Sequence, residues 1–195
     1  MITYFTDMMQ TIKESILSMD EATFNQLVED SINTLDAGNK IIVSGLGKNV
    51  PVCDKFVGTM LSMGQNAGYM NTNSAVHGDI GMVNDGDLVI ILTKSGETEE
   101  SVYLTHLLQK RKVLLWLLSF EEKSTLKNLI SKSLILHLKH EGDMWNIVPN
   151  NSTTVNLIVL QGLAMMICQK RQVTLQDFKR NHPGGHIGAQ LKNVQ

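Results

Sequence analysis

Short apolar segments that alternate with stretches of helical length are the feature that most constrains the fold of this chain. The apolar segments are KIIVSG (40–45), NAGYM (66–70), DLVIILT (87–93), KVLLWLL (112–118) and SLILHL (133–138). The longest of them are apolar throughout, which is typical of strands buried on both faces. The stretches between them, about 51–63, 98–110 and 122–131, have helical periodicity. This order predicts an α/β fold: a three-layer α/β/α sandwich with a five-stranded parallel sheet.

Residues 1–38 precede the first predicted strand, and their apolar side chains recur at helical spacing on both sides of Asp20. Asp20 is a good N-cap residue and Gly38 a good terminator, so we predict an N-terminal helical hairpin over 1–38. The α/β core would then cover 39–195, and the whole chain, 1–195, would be one domain. The segment 152–171 is apolar nearly all round, which predicts a helix buried on every side and favours a subunit interface.

Composition excludes several classes of protein. The 195 residues include 17 Lys and Arg against 19 Asp and Glu, and a net charge of −2 argues against nucleic-acid binding. No run of about 18 apolar residues predicts a membrane span, and the N-terminus does not resemble a signal peptide. Cys53 and Cys168 lie among apolar residues and fit neither a disulfide framework nor a zinc spacing. We expect a cytoplasmic globular protein without a membrane or nucleic-acid partner.

Three loops that follow predicted strands carry the polar residues expected of a ligand site, because ligands of parallel sheets bind where strands end and helices begin. They are Ser44-Gly45-Leu46-Gly47-Lys48-Asn49, Thr93-Lys94-Ser95-Gly96-Glu97-Thr98 and Asn150-Asn151-Ser152-Thr153-Thr154. The second loop has three hydroxyls around a glycine before a helix, which suits a phosphate. Helix capping by Ser95 or Thr98 is the simpler explanation, but one hydroxyl suffices for a cap. We therefore favour anion binding. His77, Glu141 and His182 lie in other predicted loops and are candidate acid–base groups.

Motifs in this order resemble the sugar isomerase (SIS) domain and, more closely, arabinose-5-phosphate isomerases of the KpsF/GutQ type. The motifs are GLGK (45–48), VHGDIGM (76–82) followed by TKSGETEE (93–100), and HPGGHIG (182–188). The SGET sequence alone marks the superfamily, whereas the HGD and HPGG segments together are more specific. Such isomerases usually carry a pair of CBS domains after the SIS domain. This sequence ends at Gln195, so we expect no CBS domains.

The resemblance implies interconversion of an aldose and a ketose phosphate, most simply arabinose 5-phosphate and ribulose 5-phosphate, through a cis-enediol. It implies no metal and no organic cofactor, and a homotetramer whose subunits share active sites. It places the substrate phosphate at Thr93, Lys94, Ser95 and Thr98. The sugar would be surrounded by Lys48, His77, Glu97, Glu141 and His182, with Ser44, Gly47, Ser152 and Thr153 as further substrate contacts.

Roles follow from the chemistry of the implied reaction. One base can move the proton from C2 to C1, and Glu141 is the leading candidate, with His182 its rival. Lys48 would stabilise the enediolate and His77 would help open the sugar ring. Lys94 replaces the Asn or Gln common in the family, and GDMWNIV (142–148) is also unusual. These departures leave the sugar open.

Two alternatives to this isomerase stay open. One is a sensor that binds a phosphosugar without turnover, and the other is an isomerase of a different sugar phosphate, such as a 3-hexulose 6-phosphate. Retention of Lys48, His77, Glu141 and His182 favours catalysis, because binding needs only the phosphate loop.

Overall fold

The computed structural model describes residues 1–191. The helices within this range are α1 (Ile2–Leu17), α2 (Glu21–Asp36), α3 (Val50–Ser62), α4 (Thr72–Ala75), α5 (Glu99–Leu108), α6 (Thr125–Leu129), α7 (Asn151–Lys170), α8 (Leu175–Arg180) and α9 (Gly185–Leu191). The strands are β1 (Ile41–Gly45), β2 (Ala67–Tyr69), β3 (Leu88–Leu92), β4 (Leu114–Ser119) and β5 (Lys132–Ile135). Short 3₁₀ turns at Gly47–Asn49 and Asp79–Met82 follow β1 and precede β3.

The strands form one parallel sheet in the order β2-β1-β3-β4-β5. Side chains alternate between two apolar cores. In β3, for example, Ile90 points to one core while Val89 and Ile91 point to the other. The prediction of a five-stranded parallel sheet is confirmed, and every residue of β1 and β3 is buried, whereas β2, β4 and β5 also contain partly buried residues.

Helices cover both faces of the sheet, so the three-layer α/β/α prediction is confirmed. One core contains buried side chains of α2, α3 and α7, and partly buried residues of α1 pack against it. The other core contains buried side chains of α4 and α5, together with Leu126 of α6. Cys53 and Cys168 are buried free thiols, as predicted, and burial raises the pKa of Cys53 to about 12.

The N-terminal hairpin forms as predicted. The Asp20 carboxylate accepts a hydrogen bond of 2.7 Å from the backbone N–H of Thr23, which caps α2. Gly38 lies beyond the end of α2 with φ of +83°, a conformation that suits glycine. The N-terminal half of α1 differs from the expected apolar packing, because Phe5 and Met9 are 53% and 61% exposed in the single chain.

Helix α7 is less enclosed than its composition predicts. It packs against α1, α2 and α3, but Ile158 and Met165 are 40% and 46% exposed, so the expectation of burial on every side was wrong for the isolated chain. By length and composition alone, α7 is apolar enough to cross a membrane. Its position among the core helices, with half of its residues buried, matches the core helix of a globular domain.

A polar cluster ties α2 to the sheet through Asp30. Its Oδ2 accepts hydrogen bonds of 2.9 Å from the indole N–H of Trp116 and 2.8 Å from Lys132, and its Oδ1 accepts one from Gln26. Burial raises the pKa of Asp30, but these hydrogen bonds outweigh burial, and the pKa lies below its ordinary value. The cluster joins α2 to β4 and β5 at a point where Trp116 is only 2% exposed.

Asp30→Ala is expected to lower the free energy of unfolding by about 1–3 kcal/mol, because it leaves the buried indole N–H of Trp116 without a partner. Since folding lowers the pKa of Asp30, its stabilising effect is complete above the pKa of the unfolded chain and is lost as the pH falls through the folded pKa. Urea unfolding of wild type and variant from neutral to acid pH measures both effects.

Glu29→Ala on the same helix is the matched control. Glu29 pairs with Lys170, and both side chains are at least 40% exposed, so its removal should cost about 0–1 kcal/mol. Equal losses in the two variants would contradict the proposed importance of the Asp30 cluster.

Candidate functional site

The order of the strands places a ligand site beside β1 and β3. From β1 the chain crosses outward to β2 and then returns to β3 on the other side of β1, so the loops after β1 and β3 diverge. Such a switch point leaves a crevice at the carboxyl ends of the strands. A cavity of about 230 Å³ lies there and is called the switch-point cavity below. Its lining residues are Leu46, Gly47, Lys48, Asn49, Leu92, Thr93, Lys94, Ser95, Thr98, Ser101, Pro149, Ser152, Thr153 and Asn156.

Residues 93–98, called the hydroxyl loop below, present their hydroxyls in a defined way. Thr93 Oγ1 accepts a hydrogen bond of 3.1 Å from the backbone N–H of Gly96. Ser95 Oγ accepts one of 3.2 Å from the backbone N–H of Glu97. Because each oxygen is engaged as an acceptor, its O–H remains able to donate. Two hydroxyl donors therefore line the cavity on a backbone that fixes their positions.

The N-terminus of α5 adds to this arrangement. Thr98 occupies the N-cap position, but its side chain makes no capping hydrogen bond, so capping does not account for the hydroxyls of this loop. The first backbone N–H groups of an α-helix have no partner within the helix. Together with the helix dipole they favour an anion at this end. The hydroxyl loop thus has the donors that phosphate binding requires.

Lys48 brings positive charge to the opposite wall of the cavity. It lies in the 3₁₀ turn after β1 with an exposed side chain, and none of the ion pairs within residues 1–191 involves it. Beside it, Asn49 Oδ1 accepts a hydrogen bond of 3.0 Å from the amide of Asn156. Asn156 is 1% exposed, and its Oδ1 has no partner among the described residues. The cavity therefore contains a free cation and an unsatisfied acceptor.

Glu141 lies behind the cavity wall and does not line it. Its side chain is fully buried, with Oε1 2.8 Å from Nζ of Lys94. Its Oε2 accepts hydrogen bonds of 3.0 and 2.9 Å from the backbone N–H groups of Asn150 and Ser152, at the N-terminus of α7. Burial raises the pKa of Glu141, but the bonds from Lys94, Ser152 and Asn150 outweigh burial and leave its pKa below the ordinary value. The carboxylate is therefore ionised at neutral pH.

Two residues predicted to contact a substrate have structural partners instead. Ser44 is wholly buried in β1, and its hydroxyl lies 2.9 Å from that of Thr72. Glu97 points away from the cavity and accepts hydrogen bonds of 2.8 and 2.7 Å from the backbone N–H and the hydroxyl of Thr125. These bonds attach the hydroxyl loop to the start of α6. Ser44 and Glu97 therefore support the site from behind and do not line the cavity.

The two candidate histidines lie outside the switch-point cavity of their own chain. His77 lines a separate cavity of about 410 Å³ with Glu100 and Tyr103. His182 stacks on Phe178, with its Nδ1 2.8 Å from the carbonyl oxygen of that residue.

The position of His182 follows from its neighbour Asn181. The amide of Asn181 donates to the carbonyl oxygen of Ser62, the last residue of α3. Helix α3 begins beside the cavity and has 13 residues, a length of about 20 Å. His182 therefore lies at the far end of α3, too distant to act with Glu141 of the same chain.

Asn156 was not predicted from the sequence, although a signal for it exists: it is a polar residue one turn after Ser152 in an otherwise apolar helix. A cavity of about 650 Å³ between α1 and residues 139–151 was not predicted either, and of the three predicted ligand loops only Asn151 contributes to its lining. Within residues 1–191 no group of three or more His, Cys, Asp or Glu side chains is placed to hold a metal ion.

Gly96→Ala is expected to distort the hydroxyl loop. Gly96 has φ of +70°, and an added Cβ would lie 2.6 Å from Cβ of Ser124. Ser124 has little freedom to move, because it is buried and its hydroxyl caps α6. We expect the variant to lose more than about 1–3 kcal/mol of stability, the range for backbone strain alone, and to bind inorganic phosphate more weakly.

Gly38→Ala is the control, because Gly38 also has a positive φ, of +83°, but no atom lies within 4 Å of the added Cβ. Thermal unfolding and phosphate titration compare the two variants. Equal destabilisation with unchanged phosphate binding would contradict a role for this close packing.

Known proteins resemble this chain in both sequence and fold. The SIS domain family matches residues 35–166. Arabinose 5-phosphate isomerase KdsD of Yersinia pestis is 32% identical over 152 residues, which cover 78% of this chain and 46% of that protein. The Chlamydia pneumoniae protein CPj0526/CpB0547 is 35% identical over 148 residues, or 76% of this chain and 45% of that protein. The chain thus spans less than half the length of these relatives.

A solved structure supports the same relationship. The E. coli CFT073 protein c3406, in complex with arabinose 5-phosphate, is 28% identical, with a TM-score of 0.85, and the similarity covers 92% of this chain and 94% of that one. The fold and the family match agree, since the matched range begins in α2 and continues into α7. The chain belongs to the SIS domain family.

Proposed function

We propose that this chain is an isomerase that interconverts an aldose and a ketose phosphate, with arabinose 5-phosphate and ribulose 5-phosphate as its substrates. The observation that carries the proposal is the switch-point cavity, where hydroxyl donors, a helix N-terminus and two lysines meet. Its volume of about 230 Å³ suits a small polar metabolite, since pockets for drug-sized ligands start at about 300 Å³. The relationship to KdsD and to a structure that holds arabinose 5-phosphate supports this choice of sugar.

In this proposal the phosphate binds to the hydroxyl loop. Thr93, Ser95 and Thr98 donate from their hydroxyls, the N-terminus of α5 adds backbone donors, and Lys94 lies beside them. Gly47, Ser152 and Thr153 line the remaining wall, where the sugar carbons would lie. Anchoring the phosphate at one end would position C1 and C2 near Lys48 and the wall in front of Glu141.

The chemistry requires ring opening, removal of the proton on C2, a cis-enediolate, and return of a proton to C1. Glu141 is our candidate for the base that performs both transfers, because it is ionised at neutral pH. Lys48 has no competing carboxylate within the described residues and would stabilise the negative charge as it develops on the enediolate. This reaction needs no metal and no organic cofactor.

His77 and His182 would act in a site shared between subunits, since neither lines the cavity of its own chain. We accordingly propose a homotetramer. Exposed apolar side chains on α1 and on the 142–148 loop, such as Phe5, Trp145 and Ile147, support association. His77 would help to open the sugar ring, and His182 is the second candidate for the proton shuttle. We expect such a metabolic enzyme to be cytoplasmic.

A sensor that binds phosphosugars without turnover is the second candidate function. The observation that favours it is the buried position of Glu141, since residues 1–191 of the single chain offer a set of donors suited to phosphate but no carboxylate that lines the cavity. Turnover separates the two candidates. An isomerase of another sugar phosphate, such as a 3-hexulose 6-phosphate, differs only in the sugar that is turned over.

Proton NMR with arabinose 5-phosphate in D₂O tests the proposed function directly. Formation of ribulose 5-phosphate turns C2 into a carbonyl carbon, and an enediol intermediate allows the transferred proton to exchange with solvent, so the C2 proton signal should disappear while ketose appears. Saturable binding with neither ketose formation nor exchange would support the sensor. If the protein instead exchanges a proton of another aldose or ketose phosphate from a panel, the assignment as an isomerase stands and only its proposed substrate changes.

Glu141→Gln tests the proton shuttle. We expect turnover to fall by at least about a hundredfold, the usual scale for a positioned acid–base group. Because Glu141 has a lowered pKa in the free protein, the acid limb of the wild-type kcat/KM profile should lie below the ordinary range of a glutamate. If His182→Ala is inactive and Glu141→Gln is not, the shuttle assignment changes to His182.

Mixing the two inactive variants under conditions that exchange subunits tests sharing of the site. If His182 serves the cavity of a neighbouring copy, some mixed sites contain both native residues and activity returns. Sedimentation shows whether the mixture is tetrameric. A monomer that is fully active would contradict the shared site.

A further inference from the structure

Lys94 touches both parts of the site that the proposed reaction would use. It belongs to the hydroxyl loop and lines the switch-point cavity, while its Nζ lies 2.8 Å from the buried Oε1 of Glu141. Its side chain is 44% exposed, whereas that of Glu141 is fully buried. The ammonium thus stands between the cavity and the carboxylate.

The two oxygens of Glu141 are held differently. Oε2 accepts two backbone hydrogen bonds, from Asn150 and Ser152, and these fix the carboxylate to the start of α7. For Oε1, the ammonium of Lys94 is the only ion-pair partner among the described residues, and the Ser152 hydroxyl is the other side-chain donor that interacts with this carboxylate. If the ammonium moved away, Glu141 would keep its position but would gain one free oxygen on the side of the cavity.

The backbone of Lys94 is held by hydrogen bonds, whereas its side chain is partly exposed and has room to turn. Its carbonyl oxygen accepts hydrogen bonds of 3.2 Å from the hydroxyl of Ser119 and 3.3 Å from the backbone N–H of Phe120, which tie it to the end of β4. The four-carbon side chain carries a compact charge with three donors, which can turn towards either of two anions. An anion on the hydroxyl loop would compete with Glu141 for that charge.

We propose that Lys94 is a shared counter-ion: it pairs with Glu141 when the cavity is empty, and an anion bound on the hydroxyl loop draws it away and leaves Oε1 facing the ligand. The role of Glu141 as a base rests on the proposed function, but the competition for Lys94 does not. In the reaction, a substrate that lacks phosphate would leave the carboxylate covered. Lys94 would therefore select for phosphorylated sugars as a positioning residue.

The competition for Lys94 can be tested by binding measurements alone, because the charge of Glu141 and the affinity for the anion are thermodynamically linked. If Glu141 and the anion compete for one ammonium, removing the charge of Glu141 must strengthen anion binding, and this effect must depend on Lys94. Simple repulsion between Glu141 and the anion would also strengthen binding in Glu141→Gln, but it would do so whether or not Lys94 is present. A double-mutant cycle separates the two causes.

The probe is inorganic phosphate, titrated at one pH and ionic strength into wild type, Glu141→Gln, Lys94→Met and the double variant. We expect Glu141→Gln to bind phosphate at least about fivefold more tightly than wild type, the lower end of typical coupling between sites. In the Lys94→Met background the same substitution should change affinity less than about twofold. Lys94→Arg, which keeps a cation in this place, should retain most of the coupling.

Lys110→Met is the control for loss of one positive charge, because Lys110 is exposed just beyond the other end of α5. It should leave phosphate affinity unchanged. The other charged groups around the 139–151 segment are Asp143 within it, Lys48 in the switch-point cavity, and Asp7, Glu14, Lys139 and His140 in the neighbouring one. None of these groups is changed in any variant, so their contributions to phosphate affinity cancel within the double-mutant cycle.

Equal gains from Glu141→Gln with and without Lys94 would overturn the proposal, as would no gain at all. If Lys94→Met alone does not fold, because Glu141 is left buried without its counter-ion, Lys94→Gln takes its place in the cycle, since the amide removes the charge but keeps a hydrogen-bond donor for Oε1. If the protein turns over no sugar phosphate, the proposed function is refuted. The double-mutant cycle measured with inorganic phosphate would still decide the role of Lys94.

Discussion

Burial of the sheet on both faces is the constraint on which the rest of this structure depends. The side chains of β1 and β3 are all buried, so these strands have no solvent-facing edge or face on which to present polar groups. Polar groups that a ligand can reach are therefore expected mainly in the loops at the strand ends. The divergence of the chain between β1 and β3 then brings two of these loops around one crevice. The place of the site is thus a consequence of topology, while its chemistry depends on the loop residues.

Glu141 shows how one buried charge can support both structure and function. Its Oε2 takes up backbone donors at the start of α7 that would otherwise lack partners. Its Oε1 requires a cation, because an unpaired carboxylate in the interior is costly. Lys94 provides that cation from a different loop, so the hydroxyl loop and the start of α7 are held in register across the cavity. The pair contributes to the shape of the site even before any ligand binds.

The parts that could be predicted from the sequence are those governed by local pattern. Apolar runs located all the strands to within three residues of their ends, and Asp20 was identified as the cap of α2 by residue type alone. The hydroxyl loop was likewise recognisable, because several hydroxyls before a helix exceed what a cap needs. Each of these signals lies within a few neighbouring residues, where propensity and hydrogen-bonding chemistry act directly.

Other features depend on contacts between distant segments and were not predicted. Lys94 was expected beside the phosphate, but its pairing with Glu141 joins residues 47 positions apart. Glu97 was expected beside the sugar, but its carboxylate accepts hydrogen bonds from Thr125 at the start of α6. The orphaned oxygen of Asn156 depends on where Asn49 lies. In each case the side chain has the chemistry of a site residue, and tertiary packing decides which group it meets.

The residues proposed to bind phosphate and those proposed to move protons lie in different parts of the chain. The proposed phosphate donors come from one chain, and they converge without help from His77 or His182. The proposed acid–base chemistry is more demanding, since it needs Glu141 uncovered and the histidines brought in from other copies. A single chain would then bind the anion while the assembled protein performs the reaction. The two proposed functions would then differ in what they require: a sensor would need only the loops of one sheet, and an isomerase would also need the assembly.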